Sequence, residues 1–220
     1  MIKAVLFDMI GTTVKTVSPD FILTSFRNAF QSQQVLVDEK IITSNRGKSK
    51  ISMIKEVLIQ QNASIELAEP IYESFKNSIH TGLDNFFENE EAEKVFSFLK
   101  QKNIKIGIGT GLSVSLFDEI YNHLDWRRHD FDYIGISESI GKSRPDPAMI
   151  FDMMDKLNIF SSRQVLKVGD TIADIKEGKN ANTYTAVILA GTQETETLRA
   201  ESPDFVLAAL SDLLHIGIWQ

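Results

Sequence analysis

Short uninterrupted apolar runs recur along the chain, and each is bounded by glycine or by polar and charged residues. Runs of this kind are typical of strands buried on both faces of a parallel sheet. They predict strands at residues 4–7, 104–109, 131–134, 164–168 and 185–189. From residue 91 onward these runs alternate with segments whose apolar residues recur every three or four positions, at 91–102, 114–124, 148–157 and 172–180. The alternation predicts an α/β fold in which a doubly wound parallel sheet carries helices on both faces.

Residues 15–85 follow a different pattern. Apolar positions there recur only at helical spacing, as at Ile51, Ile54, Val57 and Leu58. The pattern predicts helices at residues 20–33, 38–45, 49–60 and 65–79. This part of the chain is therefore predicted to be a helical insert placed directly after the first strand.

The overall composition and charge exclude several classes of protein. The chain has 220 residues, of which 43% are hydrophobic and 24% charged, with a formal net charge of −7. No cluster of lysine and arginine is large enough to follow a phosphate backbone, which argues against nucleic acid as a partner. The chain contains no cysteine, so disulfides, thiolate nucleophiles and cysteine-based zinc sites are excluded.

The apolar runs are also too short for a membrane protein. None approaches the roughly 20 residues that a membrane-spanning helix needs. The first run could be mistaken for a signal peptide, but Asp8 interrupts it early and no small-residue cleavage site follows. We therefore expect a cytoplasmic protein with no membrane partner, which acts as a monomer or a homodimer.

Residues capable of chemistry follow three of the predicted strands. Asp8 follows the first strand, Thr110 and Gly111 follow the second, and Asp170 follows the fourth, with Asp174 shortly after it. Any one of these acids could simply cap a helix or form a turn, but several at aligned strand ends favour a site. Parallel strands bring their carboxyl ends to one edge of the sheet, where ligands bind.

This set of side chains suits a metal ion and an anion. Clustered carboxylates offer the oxygen ligands that Mg²⁺ prefers. Backbone N–H groups after Asp8, together with the Thr12 and Thr110 hydroxyls, are placed to hold phosphate oxygens. The sequence therefore predicts Mg²⁺ and a phosphate group at the same sheet edge.

Four motifs, in order along nearly the whole chain, resemble those of the haloacid dehalogenase superfamily of hydrolases. They are FDMIGTT, IGIGTG, GKSRPDP and KVGDTIADIKEG. The resemblance implies a Rossmann-like core of residues 1–14 and 86–220 and an inserted all-helical cap domain of residues 15–85. It also implies hydrolysis of a small phosphorylated or phosphonylated metabolite with Mg²⁺ as cofactor.

The resemblance assigns a role to each motif residue. It implies that Asp8 is the nucleophile, forming an aspartyl-phosphate. The Mg²⁺ ligands implied are Asp8, the Ile10 carbonyl, Asp170 and Asp174, the last either as a ligand or as a residue that orients a metal-bound water. Substrate and phosphate binding falls to Thr12, Thr110, Gly111 and Arg144. The planar, multidentate guanidinium of Arg144 suits a bridge between the phosphate and the nucleophile.

Ile10 occupies the position where most members of the superfamily have a second aspartate, which protonates the leaving oxygen. General acid–base help of this kind is typically worth about 10²–10⁴-fold, so hydrolysis of ordinary phosphate esters should suffer. The phosphonatase branch tolerates an apolar residue at this position, because a cap lysine forms an imine with phosphonoacetaldehyde and the imine accepts the electrons of the cleaved C–P bond. The segment Gly47-Lys48-Ser49-Lys50 resembles the lysine pattern of that branch and implies that Lys50 is the imine-forming residue.

Two departures from the phosphonatase pattern keep alternatives open. Arg46 stands where that branch has methionine, and Met53 stands where it has a histidine thought to relay protons. The sequence thus favours a phosphonatase-like hydrolase, with true phosphonoacetaldehyde hydrolysis as an alternative. A catalytically weak, phosphate-binding regulatory protein is a further alternative. The four histidines share no ligand spacing, and we expect surface or satisfied side chains rather than a metal site.

Overall fold

A computed structural model describes residues 1–189 and 192–219 of the chain. The described residues form eight strands: β1 (Ala4–Asp8), β2 (Val14–Thr16), β3 (Phe86–Glu88), β4 (Lys105–Thr110), β5 (Tyr133–Ile136), β6 (Val165–Gly169), β7 (Tyr184–Ile188) and β8 (Phe205–Leu207). Six of them form one parallel sheet in the order β5-β4-β1-β6-β7-β8. The predicted α/β fold with a parallel sheet is confirmed.

The register of the central strands creates the edge at which the motif residues meet. Strand β1 lies between β4 and β6, with Asp8 paired to Gly109 and Phe7 paired to Val168. All five residues of β1 are buried, because helices cover both faces of the sheet at this position. Asp8, Thr110 and Asp170 therefore end neighbouring strands on the same side of the molecule.

Helices surround the sheet and fill the segment between β2 and β3. Their bounds are α1 (Phe21–Ser32), α2 (Glu39–Ser44), α3 (Lys50–Gln60), α4 (Ala68–Thr81), α5 (Ala92–Gln101), α6 (Val114–His123), α7 (Ser137–Ile140), α8 (Ala148–Lys156), α9 (Ile172–Asn180) and α10 (Thr195–Ala200). Within the described ranges, no helix combines the length and the apolar character that crossing a bilayer would require.

The segment from α1 to α4 packs around its own apolar side chains. The rings of Phe26 and Phe75 stack with their centroids 4.0 Å apart, and both side chains are buried. Strands β2 and β3 pair antiparallel where the chain enters and leaves this segment. Strand β2 spans the predicted boundary at residues 14 and 15, so the insert includes two strand residues as well as helices. The division of the chain into a core and a cap domain remains a prediction.

Several elements differ from those predicted by the apolar pattern. Strand β5 begins at Tyr133 rather than Phe131. Just before it, the Asp132 side chain, rather than a backbone carbonyl, accepts the Ile106 N–H at 2.9 Å. Strands β2, β3 and β8 are three residues long, too short for their side-chain alternation to be recognised. Helices α7 and α10, of four and six residues, were missed for the same reason.

Candidate active site

Asp8 lies at the carboxyl end of β1, and its side chain is buried against Arg144. The Arg144 Nη1 atom lies 2.5 Å from Asp8 Oδ1, and both side chains are less than a tenth exposed. Burial and the neighbouring Asp174 raise the pKa of Asp8, while Arg144 and Lys167 act in the opposite direction. The carboxylate is thus held in a dry setting in which its charge depends on nearby cations.

Asp8, Asp170 and Asp174 form a compact acidic cluster. One carboxylate oxygen from each lies within 4.8 Å of the other two, and all three residues are buried. Burial, together with the charges of Asp8 and Asp174, raises the pKa of Asp170 to about 7. Crowded, buried carboxylate oxygens of this kind are suitable ligands for a hard divalent cation, which would relieve their mutual repulsion. The residues present therefore fit Mg²⁺.

Asp174 also has a structural role at the start of α9. Its Oδ2 atom accepts the Thr171 N–H at 3.2 Å and the Thr171 hydroxyl at 2.5 Å, and Thr171 in turn accepts the Asp174 N–H. This reciprocal capping box satisfies donors at the helix N-terminus. Burial acts to raise the pKa of Asp174, but Arg144 and Lys167 outweigh it and hold the pKa below its usual value.

Arg144 joins the nucleophile position to several other groups. Besides Asp8, its Nη1 donates to the Gly47 carbonyl at 3.2 Å, and its Nε donates to Glu177 at 3.0 Å. Lys142, two residues earlier, is 63% exposed and pairs only loosely with Asp146, at 3.7 Å. Arg144 is therefore the cation of this loop that reaches the site.

The predicted phosphate-binding residues occupy two different positions. Thr110 and Gly111 line a small cavity of about 30 Å³ together with Asp8, Ile10 and Arg144. Thr12 is fully buried, and its hydroxyl faces Asp170, with Thr12 Oγ1 3.4 Å from Asp170 Oδ1. The geometry brings Thr110 to the cavity and Thr12 to the acidic cluster.

Gly11 explains the glycine that follows the first strand. Its φ angle is +104°, and a Cβ atom placed on it would lie 2.2 Å from Asp170 Oδ2. Only glycine combines that backbone conformation with so close an approach. The turn thereby lets Asp170 pack directly against the chain that carries Asp8.

Lys50 enters the same cavity from the first turn of α3. Its side chain lines the cavity with Asp8 and Met53. Burial, with the charges of Arg46 and Arg144, lowers the pKa of Lys50 to about 8, although Asp8 and Asp170 oppose the shift. The structure therefore brings the predicted imine-forming residue into the same cavity as Asp8, the predicted nucleophile.

Within residues 1–189 and 192–219, four hydrogen bonds connect residues 43–50 to loops of the sheet. They are Gln193 Nε2 to the Thr43 carbonyl at 2.8 Å, Arg144 Nη1 to the Gly47 carbonyl at 3.2 Å, Ser49 N–H to Ser143 Oγ at 2.6 Å and Lys50 N–H to the Gly111 carbonyl at 3.1 Å. These bonds hold α2 and α3 against the strand ends. The result is an enclosed site over Asp8.

The sequence positions that depart from the phosphonatase pattern both face this site. Arg46 and Met53 line the cavity, and Met53 is completely buried. A thioether carries no transferable proton, so Met53 offers no relay between Lys50 and solvent.

The profile of the haloacid dehalogenase-like hydrolases matches residues 5–188 of the chain. The chain belongs to this family. A phosphonoacetaldehyde hydrolase from Bacillus cytotoxicus is 26% identical over 230 residues, which cover 98% of this chain and 86% of that protein. The family membership makes this protein a hydrolase of the phosphatase and phosphonatase type.

Solved structures of other proteins share the fold of this hydrolase. A hydrolase from Pseudomonas syringae superposes with a TM-score of 0.87 at 19% identity, covering 97% of both chains. A phosphonoacetaldehyde hydrolase-like protein from Oleispira antarctica gives a TM-score of 0.82 at 18% identity, covering 96% of this chain and 90% of the other. The similarity supports the Rossmann-like architecture inferred from the strand order.

Sequence reasoning missed two buried charged residues of this hydrolase, Lys167 and Glu177. Lys167 lies in the middle of β6 and is 1% exposed, and Glu177 on α9 is fully buried. Lys167 Nζ lies 2.8 Å from Asp174 Oδ1 and 3.4 Å from Glu177 Oε2. A lysine inside an apolar strand was the available signal, because a buried cation needs an acidic partner.

Two of the four histidines, His129 and His80, lie next to carboxylates. His129 is buried with Nε2 2.5 Å from Glu88 Oε2 and Nδ1 3.5 Å from Glu93 Oε2, while His80 pairs with Glu119 on the surface. The ring nitrogens of His129 thus each face a carboxylate, although the group has the spacing of a metal site. One acid on each side thus gives both ring nitrogens of this buried histidine a partner, and the absence of a metal site at the histidines stays a prediction.

Proposed function

We propose that this hydrolase uses Asp8 as a nucleophile on a small phosphorylated or phosphonylated metabolite, with Mg²⁺ bound by the acidic cluster. The observation that carries the proposal is the buried contact of 2.5 Å between Asp8 and Arg144, beside two further carboxylates. A carboxylate repels a phosphate anion, so it is poorly suited to phosphate binding alone. Next to a fixed cation, which offsets this repulsion, the same carboxylate can attack phosphorus as a nucleophile.

The reaction follows from the groups around Asp8. One Asp8 oxygen attacks phosphorus, the bond to the leaving group breaks, and water then hydrolyses the aspartyl-phosphate. Arg144 supplies a fixed cation for the transferring group, and Thr110 offers a hydroxyl. Bound Mg²⁺ would screen the repulsion between the two anions. Asp8, Asp170 and the Ile10 carbonyl are the proposed ligands, and Asp174 is a further ligand or orients a metal-bound water.

The enclosed site supports a small substrate. Residues 46, 47, 50 and 53 line the catalytic cavity beside Asp8, and we infer that the segment 43–50 moves away from the strand ends to admit the substrate and then closes over it. Such closure excludes water from the reacting groups. The monomeric or homodimeric state and the cytoplasmic location stay predictions from the sequence.

Hydrolysis of a C–P bond is a second candidate, and the position of Lys50 favours it. The amine would condense with an aldehyde and release water. Transfer of phosphorus to Asp8 would then leave the bond electrons on an enamine, which takes up a proton and is hydrolysed to the free aldehyde. The pKa of about 8 makes Lys50 a better nucleophile at neutral pH than an ordinary lysine. This candidate needs no acid at Ile10, but Met53 leaves its proton transfers without a histidine.

Trapping of the phosphoenzyme tests the first proposal. The protein is mixed with Mg²⁺ and a phosphate ester with a good leaving group, quenched in acid and digested, and the peptides are analysed by mass spectrometry. We expect the phosphoryl group on Asp8, no turnover in EDTA, and turnover below a tenth of wild type in Asp8→Asn. A phosphoryl group on another residue, or full activity after exhaustive metal removal, would overturn the proposal.

Borohydride trapping separates the two candidates. With phosphonoacetaldehyde, C–P hydrolysis requires a reduced adduct on Lys50 that disappears in Lys50→Arg. Lys48→Arg is the matched control, because Lys48 is two residues away and pairs with Glu56 outside the cavity. An ester phosphatase would form no adduct and would keep most of its turnover in Lys50→Arg. The burial of Met53 favours this second result.

A further inference from the structure

A second cavity, of about 180 Å³, adjoins the catalytic one. Ile10, Ile22 and Arg46 line both spaces, and Lys15 and Thr16 of β2 line the larger one. A substituent on a phosphorus atom bound at Asp8 therefore reaches this cavity past Ile10 and Ile22. The room corresponds to several water molecules at about 30 Å³ each, enough for a short organic group.

The charged side chains that line this second cavity are both cations, although the Asp8, Asp20 and Asp170 carboxylates also act electrostatically on Arg46. Arg46 and Lys15 line it, and no carboxylate does. Among residues 1–189 and 192–219, neither side chain has an acidic partner within 4 Å. Lys48, two residues from Arg46, contrasts with it by pairing with Glu56. Two cations without ion-pair partners that share a cavity favour an anionic occupant.

A third cavity, of about 220 Å³, shares the lining residues Lys50 and Gly111 with the catalytic cavity. Its lining includes the Glu138 carboxylate as well as Lys142. An anion would therefore face a lining carboxylate there, whereas no carboxylate among the described residues lines the cavity of Arg46 and Lys15.

We propose that Arg46 and Lys15 bind a second anionic group of the substrate, a carboxylate or a phosphate, carried by the part of the molecule that leaves Asp8. The inference rests on the proposed function, since it places the first phosphoryl group at Asp8. It makes the substrate a small molecule with two separate anionic groups, such as a phosphorylated hydroxy acid, rather than a phosphonate with a neutral aldehyde. Arg46 determines this specificity because it lines both cavities.

Binding of uncleavable ligands tests the inference without relying on turnover. Isothermal titration of the Mg²⁺-loaded protein compares phosphonoacetate with ethylphosphonate, which has a methyl group in place of the carboxylate, and with ethylene-1,2-bisphosphonate. We expect phosphonoacetate, the bisphosphonate or both to bind at least about tenfold more tightly than ethylphosphonate, the range of a charge-assisted contact. The stronger of the two identifies the second group as carboxylate or phosphate.

Three variants locate that preference. Arg46→Gln and Lys15→Gln should each reduce the ratio of affinities at least about threefold. Lys15 is exposed on a short strand, so Lys15→Gln should fold and still measure the affinity ratio even if Arg46→Gln fails to fold. Lys94→Gln removes the same charge from an exposed position of α5 that lines neither cavity, and it should keep the wild-type ratio.

Two results would overturn the inference. One is equal affinity for the three ligands, and the other is a preference that survives both Arg46→Gln and Lys15→Gln. The proposed function is tested separately, by trapping the phosphoenzyme on Asp8 and by measuring Mg²⁺-dependent turnover of a phosphate ester whose alcohol part carries no charge. Hydrolysis of that ester, together with no affinity gain from a second anionic group, would support the proposed function and contradict this inference.

Discussion

The ammonium group of Lys167 lies 2.8 Å from a carboxylate oxygen of Asp174, and both side chains are almost completely buried. Lys167 belongs to the central strand β6 and Asp174 to the first turn of α9. The contact lets Asp174 stay ionised next to Asp8, and Glu177 completes the group by pairing with both Lys167 and Arg144. The charges of two cations and three acids therefore compensate one another in this buried group, which consists of Arg144, Lys167, Asp8, Asp174 and Glu177.

Lys167→Met should destabilise the protein strongly. Removing one partner of a buried ion pair leaves an uncompensated charge, which typically costs about 3–5 kcal/mol. Lys105→Met is the matched control, because its pair with Asp132 is about as short, at 2.7 Å, but has the lysine side chain 55% exposed. The control should lose at most about 1 kcal/mol. Urea denaturation of both variants measures the difference, and equal losses would contradict the charge compensation described above.

Gly11→Ala should weaken Mg²⁺ binding. A Cβ at this position would lie 2.2 Å from Asp170 Oδ2, so Asp170 or the turn must move. Changes to the residues that position a metal ligand commonly lower metal affinity by about 10–100-fold. Gly141→Ala is the control: its φ is +72° but no atom lies within 4 Å of the added carbon. It should lose about 1 kcal/mol of stability from backbone strain and keep its Mg²⁺ affinity. Metal titration that shows the same affinity in both variants would refute the expectation.

Ile10→Asp should raise hydrolysis of phosphate esters with poor leaving groups. Ile10 lines the catalytic cavity beside Asp8, and a carboxyl group there could protonate the leaving oxygen, an effect typically worth about 10²–10⁴-fold when geometry is good. Esters with good leaving groups should gain less. Ile10→Asn is the control, because its amide is polar but transfers no proton. Steady-state rates of the two variants therefore separate the effect of proton transfer from the effect of polarity. No gain for any ester would mean that geometry limits the reaction.

Imine formation at Lys50 should increase with pH in a range set by its low pKa. The neutral amine is the nucleophile, so the reactive fraction grows as the pH rises through the pKa of about 8, well below the ordinary lysine value of 10.5. Between about pH 7 and pH 9 the neutral fraction rises roughly tenfold. The initial rate of borohydride trapping with phosphonoacetaldehyde measures this, in parallel with Lys48→Arg. A rate that rises about tenfold per pH unit between pH 7 and pH 9, about 100-fold in all, and does not level off above pH 9 would show an ordinary lysine.

The sequence predicted those parts of the fold that depend on local patterns. The apolar runs located β1, β4, β6 and β7 to within a residue or so, because strands buried on both faces need continuous apolar side chains. Asp8 and Asp170 were recognisable as neighbours because the ends of parallel strands share an edge. Strands β2 and β3 were missed, since their pairing brings together residues 14–16 and 86–88 from distant parts of the chain.

The same reason explains what was missed in the candidate site. Glu177 is unremarkable along the sequence, and Lys167 stands out only as a lysine within an apolar strand. The importance of both depends on α9 packing against β6. The closeness of Lys50 to Asp8 depends on the position of α3 over the sheet, which the resemblance implied but the helical pattern did not. The cavity of Arg46 and Lys15 is formed by β2, α1 and the segment before α3 together, and no local signal encodes such a combination.

The four hydrogen bonds that hold residues 43–50 against the strand ends also affect kinetics. At about 0.5–1.5 kcal/mol each, their simultaneous loss makes the open form a small minority of the molecules at any moment. A ligand that enters only this form associates at the diffusional rate multiplied by the open fraction. We therefore expect encounters with substrate to be gated, so that weakening the contact between Ser49 and Ser143 would accelerate capture and product escape alike while leaving the groups at Asp8 in place.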